Sequence, residues 1–324
     1  MKLYFRLQRA VVVNYKKNFP FIHKNCFYNY PGEPSHFSFK DTFKSATASL
    51  IQTVRRNKCS KKAISFHQSC NAIIKKPIIT WLGHATFLIQ LPGITLITDP
   101  VLASPSPILQ RLISAYDIST LPKIDVVIIS HNHRDHMDIQ TLKALHKFNP
   151  ELDILLPHGN RHYVRNIGIS HEHMWWDQWQ KKQLSCTFLP ARHWSQRGLF
   201  DRNTSLWGSW MVQDEHNTIY FGGDSAYGDH YATIAHNFNT IDYALLPIGP
   251  CDESLRDVHM NAEEAGKAFL DLQAHACIPM HFGTFLLGDA DIDLPLKRFI
   301  AWWESQTLTA TKQLLLPQQQ GLRP

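Results

Sequence analysis

The chain has no CxxC pair: its six cysteines, at positions 26, 59, 70, 186, 251 and 277, are scattered through 324 residues. Neither a thiolate zinc clip nor a dithiol redox motif can be built from that spacing. A chain of this length does not need disulfides to hold a core, so reduced thiols in a cytoplasmic setting are expected. No apolar run approaches the roughly eighteen residues of a membrane-spanning helix. The opening stretch LYFRLQRAVVVNYKK is broken by Arg6, Arg9, Lys16 and Lys17 and lacks a small-residue cleavage site. It reads as neither a signal peptide nor an anchor. Internal repeats and low-complexity tracts are missing as well, and a hydrophobic content of 44% is enough for a real core.

Acidic residues are scarce in one part only. Residues 1–76 carry 15 Lys and Arg against 2 Asp and Glu, leaving 18 against 25 for the rest, so the overall +6 divides into +13 and −7. In the basic part the charges alternate with Phe19, Phe21, Phe27, Tyr28, Phe37, Phe39 and Phe43. That mixture suits an anionic membrane surface, where each basic side chain contributes about 1 kcal/mol. It also suits nucleic acid, or simply a solvated arm with aromatics tucked against the main body. Two regions are expected: a basic, aromatic-containing segment over 1–76, packing on or extending from the main domain, and a hydrolase domain over 77–324. One helix is expected in the first, at 41–56.

From Pro77 the pattern changes to short β-like runs, at 78–84, 86–91, 94–100, 124–130, 153–157, 185–191, 206–213, 218–224 and 243–249. Helical stretches follow at 139–148, 261–273 and 296–306. Two halves of strands followed by helices predict packed sheets with helices outside.

Ionisable residues gather where these strands stop. SHNHRDH follows the apolar run IDVVII and supplies His131, His133, Asp135 and His136; His193 follows FLPA, Asp224 follows IYFGG, and His281 follows CIPM. Downstream strand ends are where α/β sheets build sites. Packing gives no reason for the HxHxDH spacing. Imidazole and carboxylate without thiolate suit zinc, iron or manganese, and seven donors are too many for one tetrahedral ion. Two ions sharing a carboxylate would use them all.

HNHRDH resembles the HxHxDH signature of the metallo-β-lactamase superfamily. WLGHATFLIQ (81–90), LITDPVLASPSP (96–107), PARHWSQRGLFDRNTSLWGSW (190–210), YFGGDSAYGDH (220–230), LLPIGPCDESLRDVHMNAEEAGKAF (245–269) and MHFGTF (280–285) are together similar to the N-acyl-phosphatidylethanolamine-hydrolysing phospholipase D (NAPE-PLD) family. The likeness runs from about residue 78 to 290 and is thin before that, beyond FYNYPGE (27–33).

The resemblance implies an α/β fold of the αββα sandwich type, two mixed β-sheets flanked by helices, around two zinc ions, with iron or manganese as alternatives. One ion would take His131, His133 and His193, the other Asp135, His136 and His281, with Asp224 between them. Asp99 of TDP matches an aspartate that supports the ligands from behind; for His84 of LGHATF our own expectation is a structural or similarly supporting role. His259 of DVHMNAEEA matches a histidine near the scissile phosphate, and Asp135, Asp224 and His259 are the candidates for catalytic roles. The implied reaction is attack on phosphorus by hydroxide held between the ions, yielding phosphatidic acid and an N-acylethanolamine from an N-acyl-phosphatidylethanolamine-like lipid.

The expected partners are the phospholipid substrate and an anionic membrane surface, with peripheral attachment in the cytoplasm and no nucleic acid; the oligomeric state is open, a homodimer included. The rival readings are a lactonase or other ester hydrolase of the same superfamily, a nuclease-type phosphodiesterase, and a non-enzymatic membrane-binding protein. Of the tryptophans, Trp207 and Trp210 are expected in the core. His171 and His173, although spaced like ligands, are expected at the surface.

Overall fold

The structure, a computed structural model, describes residues 20–29, 76–106, 109–287 and 291–317. A two-stranded hairpin, Ile22–His23 (β1) with Cys26–Phe27 (β2), comes first. The apolar runs Ile78–Gly83 (β3), Thr86–Leu91 (β4) and Ile94–Thr98 (β5) then form an antiparallel meander. Its first turn is His84–Ala85, and its second is Pro92–Gly93, where glycine takes the left-handed φ of +71°. Val126–Ile128 (β6), Asp153–Pro157 (β7) and Ile169–His173 (β8) add in parallel, completing a six-stranded mixed sheet. Continuous apolar runs such as Val126–Ile128 are buried on both faces, as parallel strands require.

The second sheet has seven strands: Gln178–Lys181 (β9), Leu184–Leu189 (β10), Ser209–Gln213 (β11), Thr218–Phe221 (β12), Tyr243–Pro247 (β13), Ala276–Met280 (β14) and Gln313–Leu314 (β15). β9 to β12 run antiparallel and β12 to β15 parallel. Between the sheets lies a core in which Trp81, Phe87, Ile89 and Ile128 meet Phe188, Trp210, Phe221 and Ile278.

Helices close both outer faces. Ile139–Phe148 (α1) presents Leu142 and Leu145 to Leu88, Ile97, Val127 and Ile154 of the first sheet. His230–Asn237 (α2), Ala262–Asp271 (α3) and Leu294–Ser305 (α4) cover Met211, Tyr220 and Leu246 of the second with Ile234, Phe269 and Phe299. α3 and α4 pack closely enough that a Cβ on Gly266 would collide with the Trp302 ring. The result is the expected four-layer αββα sandwich.

The expected strands are found, although the one from 206 begins only at Ser209. β1, β2, β8, β9, β15 and α2 were not expected. The helix expected at 41–56 and most of the 1–76 segment lie outside the described residues. Among the described residues no helix is long and apolar enough to cross a membrane.

Candidate metal centre

The donors converge at the downstream ends of β5, β6, β10, β12 and β14. After β6 the backbone folds into a tight turn in which the amides of His136 and Met137 both reach the carbonyl of His133. Asp138 then caps α1 through its carboxylate, which accepts from the Gln140 and Thr141 amides. This turn throws the three imidazoles and Asp135 toward one point. Asp224 arrives after Gly222–Gly223, where φ of Gly223 is +56° and a Cβ would sit 2.5 Å from Ser130 Cβ. Glycine there lets the β12 end press against the β6 end.

Two groups result. In the first, His131 Nε2 lies 2.8 Å from His133 Nδ1 and His193 Nε2 lies 3.2 Å from the same atom. Both Nε2 atoms are 3.8 Å from Asp224 Oδ2. In the second, His136 Nε2 is 3.7 Å and His281 Nε2 4.0 Å from Asp135 Oδ2. Asp224 belongs to both, with Oδ2 3.1 Å from His136 Nε2 and Oδ1 3.0 Å from His281 Nε2. Each set of four, His131/His133/His193/Asp224 and His84/Asp135/His136/His281, has one donor atom per residue within 4.8 Å of every other. That spacing is what a coordinated cation needs.

Supporting contacts fix the rings. Asp99, fully buried at the end of β5, accepts from His136 Nδ1 at 2.7 Å and from Ser130 Oγ at 2.5 Å, while Ser130 Oγ touches His131 Nδ1 at 2.9 Å. His193 Nδ1 donates to the Val258 carbonyl at 2.7 Å, turning its Nε2 inward. His84 Nε2 is 3.2 Å from Asp135 Oδ2, so His84 stands in the second group and reaches its carboxylate. The His84 carbonyl in turn accepts from Trp81 Nε1 and the His281 amide. His84, Asp99 and His281 have φ of +56°, +32° and +63°, a left-handed geometry that costs energy in non-glycine residues and gathers at functional sites.

Burial and the crowding of like charges hold His131 and His259 well below the ordinary imidazole range, with His133 pushed to about 3 and His193 to about 4. Burial alone would raise Asp224, but the imidazoles of His136, His281 and His259 hold it well below the carboxylate range. His136 is the exception: against burial, the carboxylates of Asp224 and Asp135 lift it well above 6.5. Positive charge is what the two carboxylates call for at that spot.

Several atoms facing the centre are buried with no well-aligned hydrogen-bond partner: His136 Nε2, Asp224 Oδ1, His259 Nδ1 and His281 Nε2. Such orphans are costly unless something coordinates them. Neutral imidazoles, ionised carboxylates and bare inward donors fit a pair of divalent cations.

All the sequence-predicted site residues are thus brought together. His259 sits at the rim, its side chain 14% exposed and its Nδ1 3.8 Å from Asp224 Oδ2. Trp207 and Trp210 lie in the inter-sheet core. His171 is half-buried and bonds Asp153 at 2.8 Å. His173, expected at the surface, is buried instead, because β8 turns it inward against the Trp210 ring.

Sequence reasoning missed Ser130, the Val258 carbonyl and Asn29. The Asn29 side-chain oxygen accepts from the His193 amide at 2.8 Å and from Trp207 Nε1 at 3.1 Å. Its only signal was the isolated FYNYPGE similarity.

Residues 95–282 match the family model of a β-lactamase superfamily domain. Over 249 residues the chain is 35% identical to an uncharacterized protein of Mycobacterium tuberculosis, covering 73% of this chain and 66% of that one. Over 240 residues it is 30% identical to the N-acyl-phosphatidylethanolamine-hydrolyzing phospholipase D 1 of Caenorhabditis elegans, covering 65% of each. It therefore spans about two thirds of the length of these curated relatives. Among solved structures, Igni18, a metallo hydrolase from the archaeon Ignicoccus hospitalis, has the same fold, with a TM-score of 0.58 at 18% identity over 76% of this chain and 96% of that one.

Proposed function

The chain belongs to the β-lactamase superfamily, and from that premise we propose that it is a metal-dependent hydrolase of phosphodiesters, a phospholipase D-type enzyme for N-acyl-phosphatidylethanolamine-like lipids. His259 carries this reading. The seven other donors suffice for two cations, whereas His259 stands beside Asp224, its side chain 14% exposed, with a buried Nδ1 that has no hydrogen-bond partner. An imidazole so placed suits a substrate oxygen. The name of the nematode relative adds support for the lipid.

His131, His133 and His193 would hold one ion and Asp135, His136 and His281 the other, with Asp224 between them. Zinc is favoured by the imidazole-rich donor set, and iron or manganese would accept the same donors. Bound there, two divalent cations acidify water and neutralise the charge of phosphodiester oxygens.

The chain's own residues do the rest. Asp99, Ser130 and Val258 lock the imidazoles so that nothing reorganises during turnover. His259 donates a hydrogen bond to the departing alcohol oxygen. Trp194, Leu255 and Val258, a small apolar cluster beside His193, keep bulk water from this side. Water's oxygen bonds to phosphorus, the bond to the ethanolamine oxygen breaks, and the products are phosphatidic acid and an N-acylethanolamine.

Metal-loaded protein offered N-acyl-phosphatidylethanolamine micelles, phosphatidylcholine, a lactone panel and single-stranded nucleic acid tests the assignment. Release of phosphatidic acid from the first is expected. Cleavage of lactones alone, or of nucleic acid alone with steep salt dependence, would replace the reading, and no cleavage at all would point to a binding protein.

A further inference from the structure

Leu199 and Phe200 are neighbours in the chain and are 78% and 96% exposed, the two most solvent-exposed of the large apolar side chains among the described residues. A surface leucine alone needs no explanation, but a leucine–phenylalanine pair pushed almost wholly into water at a loop tip does.

The tip is held out by its own hydrogen bonds. The Asp201 carboxylate accepts from the amides of Arg197 and Gly198 and from Tyr163 Oη at 2.6 Å. Gln196 Nε2 donates to the Gly198 carbonyl, and the Asn203 amide bonds the Ser195 carbonyl across the base. Among the described residues the apolar pair is left facing solvent, and the one acid of the tip is engaged by the Arg197 and Gly198 amides and by Tyr163.

The loop is also fastened to the metal centre. Arg197 Nη1 donates to the carbonyls of Asn132, within the HNHRDH turn, and of Met137, directly after it. Arg134 of that turn is exposed and reaches the Arg197 carbonyl. The Arg202 guanidinium lies 5.1 Å over the Trp194 ring, which packs 4.4 Å from the His133 ring. On the other flank, the Phe27 amide bonds the Asn203 carbonyl, bringing in a hairpin with exposed Ile22 and Lys24.

We propose that the 196–202 loop, with the neighbouring β1–β2 hairpin, is the surface by which the protein seats on an anionic phospholipid bilayer, Leu199 and Phe200 entering the headgroup region while Arg134 and Lys24 meet lipid phosphates. The chemistry is that of an interfacial anchor, apolar at the tip and basic around it. Seated this way, the turn bearing His131, His133 and Asp135 lies next to the lipid layer. The inference rests on the phospholipid reading for its purpose but not for its evidence.

Full-length metal-loaded chain, the Leu199→Ser/Phe200→Ser pair and the apolar pair Leu199→Ile/Phe200→Trp are each sedimented with phosphatidylethanolamine vesicles containing a minority of phosphatidylglycerol, and assayed on bis(p-nitrophenyl) phosphate. The serine pair is expected to lose about tenfold or more in vesicle partition while cleaving the soluble diester like the parent chain. The isoleucine–tryptophan pair should bind as the parent does. Unchanged binding by the serine pair overturns the proposal, as does equal loss by both pairs with soluble cleavage intact. So does a parent chain that ignores vesicles but self-associates through this loop, seen as a sedimentation-velocity shift that the serine pair abolishes. If no diester is cleaved by any of the three yet vesicle binding still follows the apolar pair, the docking surface stands and the phospholipase reading falls.

Discussion

Asp99 Oδ2 lies 2.7 Å from His136 Nδ1, and both side chains are sealed from solvent. The same carboxylate accepts from the Ser130 amide and hydroxyl, and through that hydroxyl it reaches His131. One buried acid thus orients an imidazole in each half of the centre. Support of this kind sets the tautomer and the basicity of the inward nitrogen.

Replacing Asp99 with Asn keeps size and tolerates the left-handed backbone, but removes the charge and one acceptor. Metal affinity is expected to fall by about 10- to 100-fold with the fold retained. Competition with a chromogenic chelator, alongside circular dichroism, measures both, and an unchanged affinity would deny Asp99 this role.

Asp224→Asn tests the shared position. The carboxylate faces His136 with one oxygen and His281 with the other, and a neutral amide cannot bridge two cations. Bound metal should drop from two ions per chain to one or fewer and turnover should vanish, while thermal unfolding of the metal-free protein moves little. Elemental analysis with an activity assay decides it; full activity rules out a two-cation centre.

The ligand turn was legible because it is local. HxHxDH directly after an apolar run specifies both its own geometry and the strand that carries it, and His193, Asp224 and His281 each follow a strand that reads as one. Packed sheets with helices outside came from the order of strand-like and helical stretches, and the αββα layering from the resemblance. β8 and β9 were hidden because ISHEH and QWQK are polar, half-buried strands whose pairing is supplied by neighbours. α2 was hidden because HYATIAHN has only a weak apolar face. The support of His193 was out of reach for a different reason. A backbone carbonyl has no sequence signature, and Asn29 acts across 164 positions of chain.

Asn29→Leu should therefore disturb the site from a distance. The buried His193 amide loses its acceptor, whereas Trp207 Nε1 keeps the Ala191 carbonyl at 3.2 Å. Leaving one buried donor unpaired costs about 1–3 kcal/mol, so unfolding should come a few degrees earlier, with weaker metal binding. Removing residues 1–40 should show the same defects, in addition to any loss at membranes. Calorimetry of both proteins with and without metal gives the answer, and unaltered melting would mean that another group satisfies the amide.

A histidine outside the ligand set makes a pH prediction. His230 is buried at the start of α2, and burial, then the Arg192 charge, push it down to about 3 from 6.5. Its Nε2 is 3.1 Å from Ser225 Oγ, which already accepts from the Arg192 amide and faces the Ala226 carbonyl, so the ring donates there as a neutral imidazole. Its Nδ1 is buried without a hydrogen-bond partner. Above pH 6.5 neither folded nor unfolded chain protonates this ring, and His230 adds no pH dependence. Between about 6.5 and 3 the unfolded chain takes a proton that the folded one refuses, so stability falls as pH falls, by up to about 5 kcal/mol at about 1.4 kcal/mol per pH unit. His230→Gln removes that proton from the balance. Denaturant unfolding of both metal-free proteins over pH 7 to 4, where every other histidine contributes alike, should give a shallower loss for the variant by close to one proton. Parallel curves would mean that the folded chain accommodates the imidazolium, through water or a shift of α2 away from Ser225.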